Sequence, residues 1–145
     1  MDDILISIKP QYVDKILSGD KLIELRTRKM NIPEGTKVWI YSTMPKGEIA
    51  AFVMVKKIEL ISPENAWKKH SKVLCVQKDD FDKYTDGKTT VCLIYFNKLK
   101  ELPKKISLNQ LRLLKKGFCP PQFFMKLDQN QQIAKVLNSI CVAEQ

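Results

Sequence analysis

The sequence GDKLIELR at residues 19–26 constrains the fold most, because it joins a turn to a strand with alternating polar and apolar side chains. Successive side chains on a strand point to opposite faces. One face then carries Ile23 and Leu25. The other face carries Leu22, Glu24, Arg26 and Arg28. A glutamate and two arginines in register form either a solvated strand face or a polar pocket, and the pattern alone leaves both interpretations open.

The charge balance bears on the partners of this protein. At 145 residues the chain is long enough for one domain with a hydrophobic core. Lys and Arg number 25 against 16 Asp and Glu, which gives a formal net charge of +9. This excess favours polyanionic partners such as RNA, DNA or nucleotides, although a soluble surface accounts for it equally well.

Cysteine and histidine usage argues against a metal site. Cys75, Cys92, Cys119 and Cys141 are far apart and form no C-x-x-C pair, so we predict no zinc site and no cofactor. Cys92 lies in an apolar run and is predicted to be a core residue. The single histidine, His70, lies at the polar end of a predicted helix, which favours a surface role over catalysis. With neither a signal-peptide pattern nor a membrane-length apolar stretch, we expect a cytoplasmic protein without membrane contact.

The apolar pattern predicts strands and helices along the whole chain. Strands are predicted over residues 4–8, 21–28, 37–42 and 90–96, with 49–61 as one bent strand or two. The lysine-bearing segment 98–103 is predicted to be an edge or an exit of the preceding strand. Helices are predicted over residues 10–18, from 63, over 78–85, around 108–114 and after 128. These elements favour an α+β fold with a mixed or antiparallel β-sheet, curled or closed, and helices at its ends.

Cap signals mark several of these boundaries. Pro10 suits the first turn of a helix, where its missing N–H costs nothing. Gly19 suits the position just after that helix. Ser107 and Gln110 have the spacing of a capping box, and Asp128 is predicted to cap the last helix.

A longer motif surrounds the strand at residues 21–28. The pattern G-x-K-x-x-E-x-R is matched in full by Gly19, Lys21, Glu24 and Arg26. The sequence ISIKP at residues 6–10 precedes it, a P-x-G turn at 33–35 follows it, and PPQF stands at 120–123. With these neighbours the chain resembles an ASCH domain, a member of the PUA-like superfamily.

The resemblance implies a fold and a general role. It implies one ASCH or PUA-like domain over residues 1–145, with a C-terminal helical extension at about 107–145. The implied fold is a PUA-like β-barrel flanked by helices, with a cleft between barrel and helix that the motif lines. The implied role is RNA binding or RNA-related chemistry. Fold similarity alone does not assign function.

The resemblance also implies two possible activities. Some small ASCH proteins are amidohydrolases that deacylate N4-acetylcytidine, and a ribonuclease activity is also associated with the fold. The amidohydrolase lysine corresponds to Lys21, but a nucleophilic threonine stands where this chain has Glu24. This difference weakens the amidohydrolase interpretation.

We predict a ligand site around the motif. Its predicted members are Gly19, Lys21, Glu24, Arg26, Arg28, Tyr41 and Thr43. A lysine or arginine there could bind phosphate, and a glutamate could accept from a base or activate water. If the protein is an enzyme, Lys21 and Glu24 are the predicted acid and base. The alternative is a buried salt bridge within the protein.

A second basic segment is predicted to contact a nucleic-acid backbone. Its residues are Lys98, Lys100, Lys104, Lys105, Arg112, Lys115 and Lys116. A solvated lysine surface explains the same residues equally well. Three functions therefore stay open: a module that binds RNA, single-stranded nucleic acid or a nucleotide; a hydrolase acting on a modified nucleoside or RNA; and a regulatory module that senses a small metabolite.

Overall fold

A computed structural model describes residues 2–143 and the side chains of residues 2–140. The described strands are β1 (Asp3–Ile8), β2 (Ile23–Arg26), β3 (Lys37–Ser42), β4 (Glu48–Ile61), β5 (Val91–Ser107) and β6 (Phe124–Leu127). The described helices are α1 (Pro10–Leu17), α2 (Pro63–Leu74), α3 (Lys78–Thr85), α4 (Leu108–Leu114) and α5 (Gln132–Ala143).

The strands form one mixed sheet in the order β2-β5-β4-β3-β1-β6. Strand β1 runs parallel to β3, and the other neighbours are antiparallel. The predicted α+β fold with a curled mixed sheet is confirmed. The barrel alternative is wrong in one respect, because β2 and β6 are the edges of the described sheet and do not pair with each other.

Side chains span the gap between the two edges, which we call the seam. Three strands separate β2 from β1 in the sheet order, yet Arg26 Nη2 in β2 donates to the Ser7 carbonyl in β1 at 2.8 Å. The guanidinium carbon of Arg26 also lies 5.6 Å from the ring centroid of Phe123, just before β6. These contacts require the sheet to curl, and they join its ends without a backbone ladder.

Three apolar clusters hold the helices against the sheet. The first lies inside the curl and includes Ile6, Val13 of α1 and Cys92, which confirms Cys92 as a core residue. The second packs α4 and α5 against the opposite surface of β1, β3 and the far part of β5. The third places Ile23 and Leu25 beneath α2 and α3. The predicted alternation in β2 therefore holds, with its apolar face toward these two helices.

Several boundaries differ from those predicted. Strand β2 is only four residues long, so Arg28 lies in a bend after it. Strand β5 continues through the segment predicted as an edge or exit and ends at the capping box of α4. Residues 49–61 belong to one strand with register shifts. The Asp128 carboxylate accepts from Asn130 N at 2.9 Å in a turn, so it does not cap α5, which begins at Gln132.

Strand β6 was missed because it is short and follows two prolines. It pairs antiparallel with β1, from Ile6 opposite Phe124 to Asp3 opposite Leu127. The stretch predicted as a helical extension therefore also contributes a strand to the sheet. The assignment of residues 1–145 to one domain, with an extension that begins at about residue 107, stays a prediction.

His70 of α2 lies in a hydrogen-bonded group with Glu59 of β4 and Tyr95 of β5. Tyr95 Oη donates to Glu59 Oε1 at 2.6 Å, and His70 Nε2 lies 3.0 Å from the same hydroxyl. The ring of His70 meets that of Tyr95 edge-on, with centroids 5.5 Å apart. Burial first, and then the Glu59 carboxylate, raise the pKa of Tyr95 to about 12.

This raised pKa predicts a loss of stability at alkaline pH. The ordinary phenol pKa is 10.0, so the unfolded chain loses the Tyr95 proton before the folded chain does. The contribution of Tyr95 to stability is complete below pH 10 and is lost as pH rises toward 12. We expect Tyr95→Phe to flatten this part of the pH dependence, measured by urea unfolding and absorbance titration. An unchanged alkaline slope in Tyr95→Phe would contradict the assignment.

Candidate functional site

The turn after α1 places the side chain of Lys21 in the protein interior. Gly19 has φ +87°, a left-handed conformation that favours glycine, and its N–H donates to Ile16 O at 3.1 Å. Asp20 N donates to Lys15 O at 3.1 Å, which completes a Schellman motif. Helix α1 thus ends at Leu17 and β2 begins at Ile23, so Lys21 lies in the short connection between them.

Lys21 is a buried cation with three neighbours. Its side chain is only 1% exposed. Its Nζ donates to Leu74 O, in the last residue of α2, at 2.6 Å. The same Nζ lies 3.5 Å from Glu24 Oε1 and 5.3 Å from the ring centroid of Tyr12. A positive charge at a helix C-terminus is favourable, so Lys21 stabilises the end of α2 where Cys75 turns the chain.

Glu24 is the common partner of both motif cations. Its Oε2 accepts from Arg26 Nε at 3.1 Å and from Arg26 Nη2 at 2.7 Å. Its Oε1 accepts from Leu25 N at 3.2 Å and faces Lys21. We call Lys21, Glu24 and Arg26 the motif triad. Because both carboxylate oxygens are engaged within the protein, the internal salt bridge considered from the sequence is present.

The motif triad also lines a cleft of about 1100 Å³. The cleft lies between α1, the end of β3, α3 and the segment at residues 120–122. Four lining side chains are cationic, and two, Glu24 and Asp80, are acidic, which gives the lining a net charge of +2. The cationic residues are Lys9, Lys21, Arg26 and Lys83. The strand face is therefore both an ion-paired network and part of a polar pocket.

Exposed apolar and aromatic groups lie at the same cleft. Tyr84 of α3 is 46% exposed and Met44, after β3, is 70% exposed, and both line the cleft. Pro120 and Pro121 add a rigid apolar wall. The cleft thus combines a charged floor with exposed groups that offer a flat or apolar surface to a ligand.

Two tyrosines supply hydroxyl donors. Burial raises the pKa of Tyr41 above its ordinary value, and the nearby Arg112 opposes this only in part. Burial, with smaller contributions from Asp80 and Glu24, raises the pKa of Tyr12. Both phenols therefore keep their protons at neutral pH and can donate to an oxygen.

Most of the predicted site residues come together in the structure. Lys21, Glu24, Arg26, Tyr41 and Thr43 line the cleft. The two others, Gly19 and Arg28, do not line it. Gly19 forms the exposed turn after α1. The guanidinium carbon of Arg28 lies 4.4 Å from the ring centroid of Phe123.

The structure adds cleft residues that were not predicted. They are Ser7, Ile8, Lys9, Gln11, Tyr12, Leu25, Met44, Val76, Asp80, Lys83, Tyr84, Leu108, Pro120, Pro121 and Gln122. The sequence ISIKP and the PPQF segment carried the family resemblance, and that signal could have identified the cleft residues in and beside them. The residues of α3 carry no comparable signal, since only the packing of α3 against β2 brings them to the cleft.

The predicted nucleic-acid backbone residues lie on the second half of β5, on α4 and directly after α4. Lys105 donates to Glu101 Oε2 at 2.7 Å and to Leu102 O at 2.6 Å, and Arg112 Nε donates to Phe118 O at 3.1 Å. The remaining side chains, all exposed, are Lys98, Lys100, Lys104, Lys115 and Lys116. Leu108, within this stretch, lines the cleft. Their contact with nucleic acid stays a prediction.

Two further properties follow from the described residues. Across residues 2–140, no three His, Cys, Asp or Glu side chains gather closely enough to hold a metal ion. Each helix that the structure describes is too short or too polar to cross a membrane.

Comparison with known proteins identifies the family. Residues 2–114 match the model of a family described as a domain of unknown function, DUF365. The chain belongs to the DUF365 family. It is also 22% identical over 141 residues to an ASCH domain-containing ribonuclease from Zymomonas mobilis, covering 95% of this chain and 94% of that protein.

Solved structures confirm the fold of this DUF365 protein. The crystal structure of ASCH from Zymomonas mobilis matches with a TM-score of 0.87 and 22% identity over 94% of each chain. Human THYN1, solved in complex with DNA containing 5-methylcytosine, matches with a TM-score of 0.55 and 12% identity, over 97% of this chain and 98% of THYN1. The ASCH, PUA-like fold expected from the motif is therefore confirmed.

The motif triad predicts a large stability cost for Glu24→Gln. The substitution removes the negative charge and leaves Lys21 and Arg26 facing each other at low exposure. We expect the free energy of unfolding to fall by about 3–5 kcal/mol, the usual cost of breaking a buried ion pair. Urea unfolding of both proteins measures it.

Glu101→Gln is the matched control for this experiment. It removes one carboxylate from the exposed pair with Lys105, which is worth about 0–1 kcal/mol. Equal losses in the two variants would show that the motif triad does not stabilise the fold.

Proposed function

We propose that the cleft binds one nucleotide unit of RNA or another single-stranded nucleic acid. The observation that carries this proposal is the joint presence of a cationic floor and an exposed tyrosine in one cleft of a chain with net charge +9. A nucleotide matches this pattern, because its phosphate is anionic and its base has a flat apolar face.

The floor suits a phosphate oxygen. Arg26 uses Nε and Nη2 within the protein, and the described residues offer its Nη1 no hydrogen-bond partner. The exposed Lys9 and Lys83 add charge at the cleft. Glu24 orients the buried Lys21 and the partly buried Arg26, and its occupied oxygens leave little capacity for a ligand. We therefore assign Arg26 to direct contact and Glu24 to positioning.

The exposed groups suit a base. Tyr84 presents an aromatic ring on α3, and Met44 presents a flexible thioether on another wall of the cleft. Stacking on an aromatic ring tolerates any base and requires the base to be unpaired. This favours a single strand over a duplex, whose bases already stack on each other.

The relatives support a nucleic-acid partner. One relative is named a ribonuclease, and THYN1 was solved with DNA bound. The basic segment from Lys98 to Lys116, which reaches the cleft at Leu108, could follow the phosphates of neighbouring nucleotides.

A ribonuclease is the second candidate, favoured by the name of the Zymomonas relative. The acid–base pair predicted from the sequence, Lys21 and Glu24, is committed to internal contacts in this chain. The same contacts argue against Glu24 as the nucleophile of an amidohydrolase. Binding is therefore the function that the geometry supports best.

Salt-dependent binding of a labelled oligouridylate tests the proposal. Each neutralised phosphate should contribute a slope of about −0.7 in log K against log salt. We expect Lys83→Ala to weaken binding and reduce this slope by about 0.7. Lys135→Ala removes the same charge from an exposed position on α5, which does not line the cleft, and should leave the slope unchanged.

Other outcomes separate the alternatives. No binding at low ionic strength would refute the proposal. Cleavage of the oligonucleotide during the titration would favour the ribonuclease. Binding of a free mononucleotide but not of the oligonucleotide would favour a metabolite sensor.

The exposed ring of Tyr84 leads to a second prediction. We expect Tyr84→Ala to weaken binding of the single strand by about 1–3 kcal/mol, the range for loss of one stacked base. Tyr84→Phe keeps the ring and should bind like the wild type. Fluorescence anisotropy with single-stranded and duplex RNA measures both. Equal binding by the alanine and phenylalanine variants would exclude stacking on this ring.

A further inference from the structure

One wall of the cleft lies beyond the residues that match the family model. Residues 120–122 line the cleft, whereas the match ends at residue 114. The next residue, Phe123, is half-buried and packs against the core inside the curl. Its ring meets Phe124 edge-on, with centroids 4.8 Å apart, at the start of β6.

Two arginines lie against the ring of Phe123 across the seam. The guanidinium carbon of Arg28 is 4.4 Å from the ring centroid, and that of Arg26 is 5.6 Å away. A planar guanidinium stacks well on an aromatic face, and the contact strengthens where water is excluded. Arg28 follows β2 and Phe123 precedes β6, so this contact joins the two edges of the open sheet.

We propose that Arg28 is a positioning residue whose contact with Phe123 fixes the wall at residues 120–122 and so sets the ligand affinity of the cleft. The effect on affinity rests on the proposed function. Arg28 is exposed and does not line the cleft, whereas the segment that it anchors does. The C-terminal part of the chain is then a component of the site.

Hydrogen–deuterium exchange tests the anchoring without a ligand. We expect Arg28→Ala and Phe123→Leu to speed exchange in the peptide that covers residues 119–127. Lys57→Ala is the matched control, because it removes the same charge and a cation–π contact, 5.3 Å from the Tyr95 ring, away from the cleft. It should leave this peptide unchanged.

Oligouridylate binding tests the effect on affinity. We expect Arg28→Ala to weaken binding by about twofold to thirtyfold, the range of a cation–π contact. The double variant Arg28→Ala with Phe123→Leu should bind no more weakly than Phe123→Leu alone, because both substitutions remove the same contact. The slope of log K against log salt should stay at the wild-type value, since no phosphate contact is lost. Arg28→Lys, which keeps the charge without the planar group, should restore affinity only in part.

Each result decides between specific alternatives. A salt slope reduced by about 0.7 in Arg28→Ala, with unchanged exchange, would mean that Arg28 contacts a phosphate directly and would overturn the inference. Unchanged exchange and unchanged affinity would overturn it as well. If the wild type binds no oligonucleotide, the proposed function fails, and the exchange experiment alone decides whether Arg28 anchors the wall.

Discussion

The contact of the Glu24 carboxylate with two cations organises this structure. Through Lys21 it reaches the carbonyl that ends α2, and through Arg26 it reaches the Ser7 carbonyl of β1. These connections position α3, which follows α2, and close the seam that backbone pairing leaves open. A surface ion pair contributes little, but a buried one is costly to break, so the cleft depends on this carboxylate.

Local sequence predicted the part of the site that lies on neighbouring residues. The alternation in β2 correctly assigned Ile23 and Leu25 to an apolar cluster, because a strand with one buried face has little freedom of register. It also correctly placed Glu24 beside Arg26. Gly19 was identifiable as the turn that precedes Lys21, since a left-handed residue after a helix favours glycine. Such signals depend on a few consecutive residues, so they can be recognised without knowledge of the tertiary contacts.

The remaining parts of the site depend on contacts between distant segments. Lys83 and Tyr84 belong to α3, whose sequence pattern indicates only that Phe81 is buried. The packing of α3 beside β2 brings Lys83 and Tyr84 to the cleft. The strand pattern placed Arg28 beside Arg26, yet β2 ends at Arg26 and the next residues bend toward Phe123. Strand β6 is four residues long and gains its stability from pairing with β1, which no local pattern reveals.

The charge of the motif triad links stability to binding. Two cations share one carboxylate, so the triad keeps one positive charge in excess at low exposure. That excess charge has no matching carboxylate within the triad, and the anionic ligand that we propose for the cleft would neutralise it. A ligand that binds only the folded state also stabilises it by mass action. The same carboxylate that we expect to stabilise the fold therefore also leaves one positive charge in the cleft for the anionic ligand that we propose.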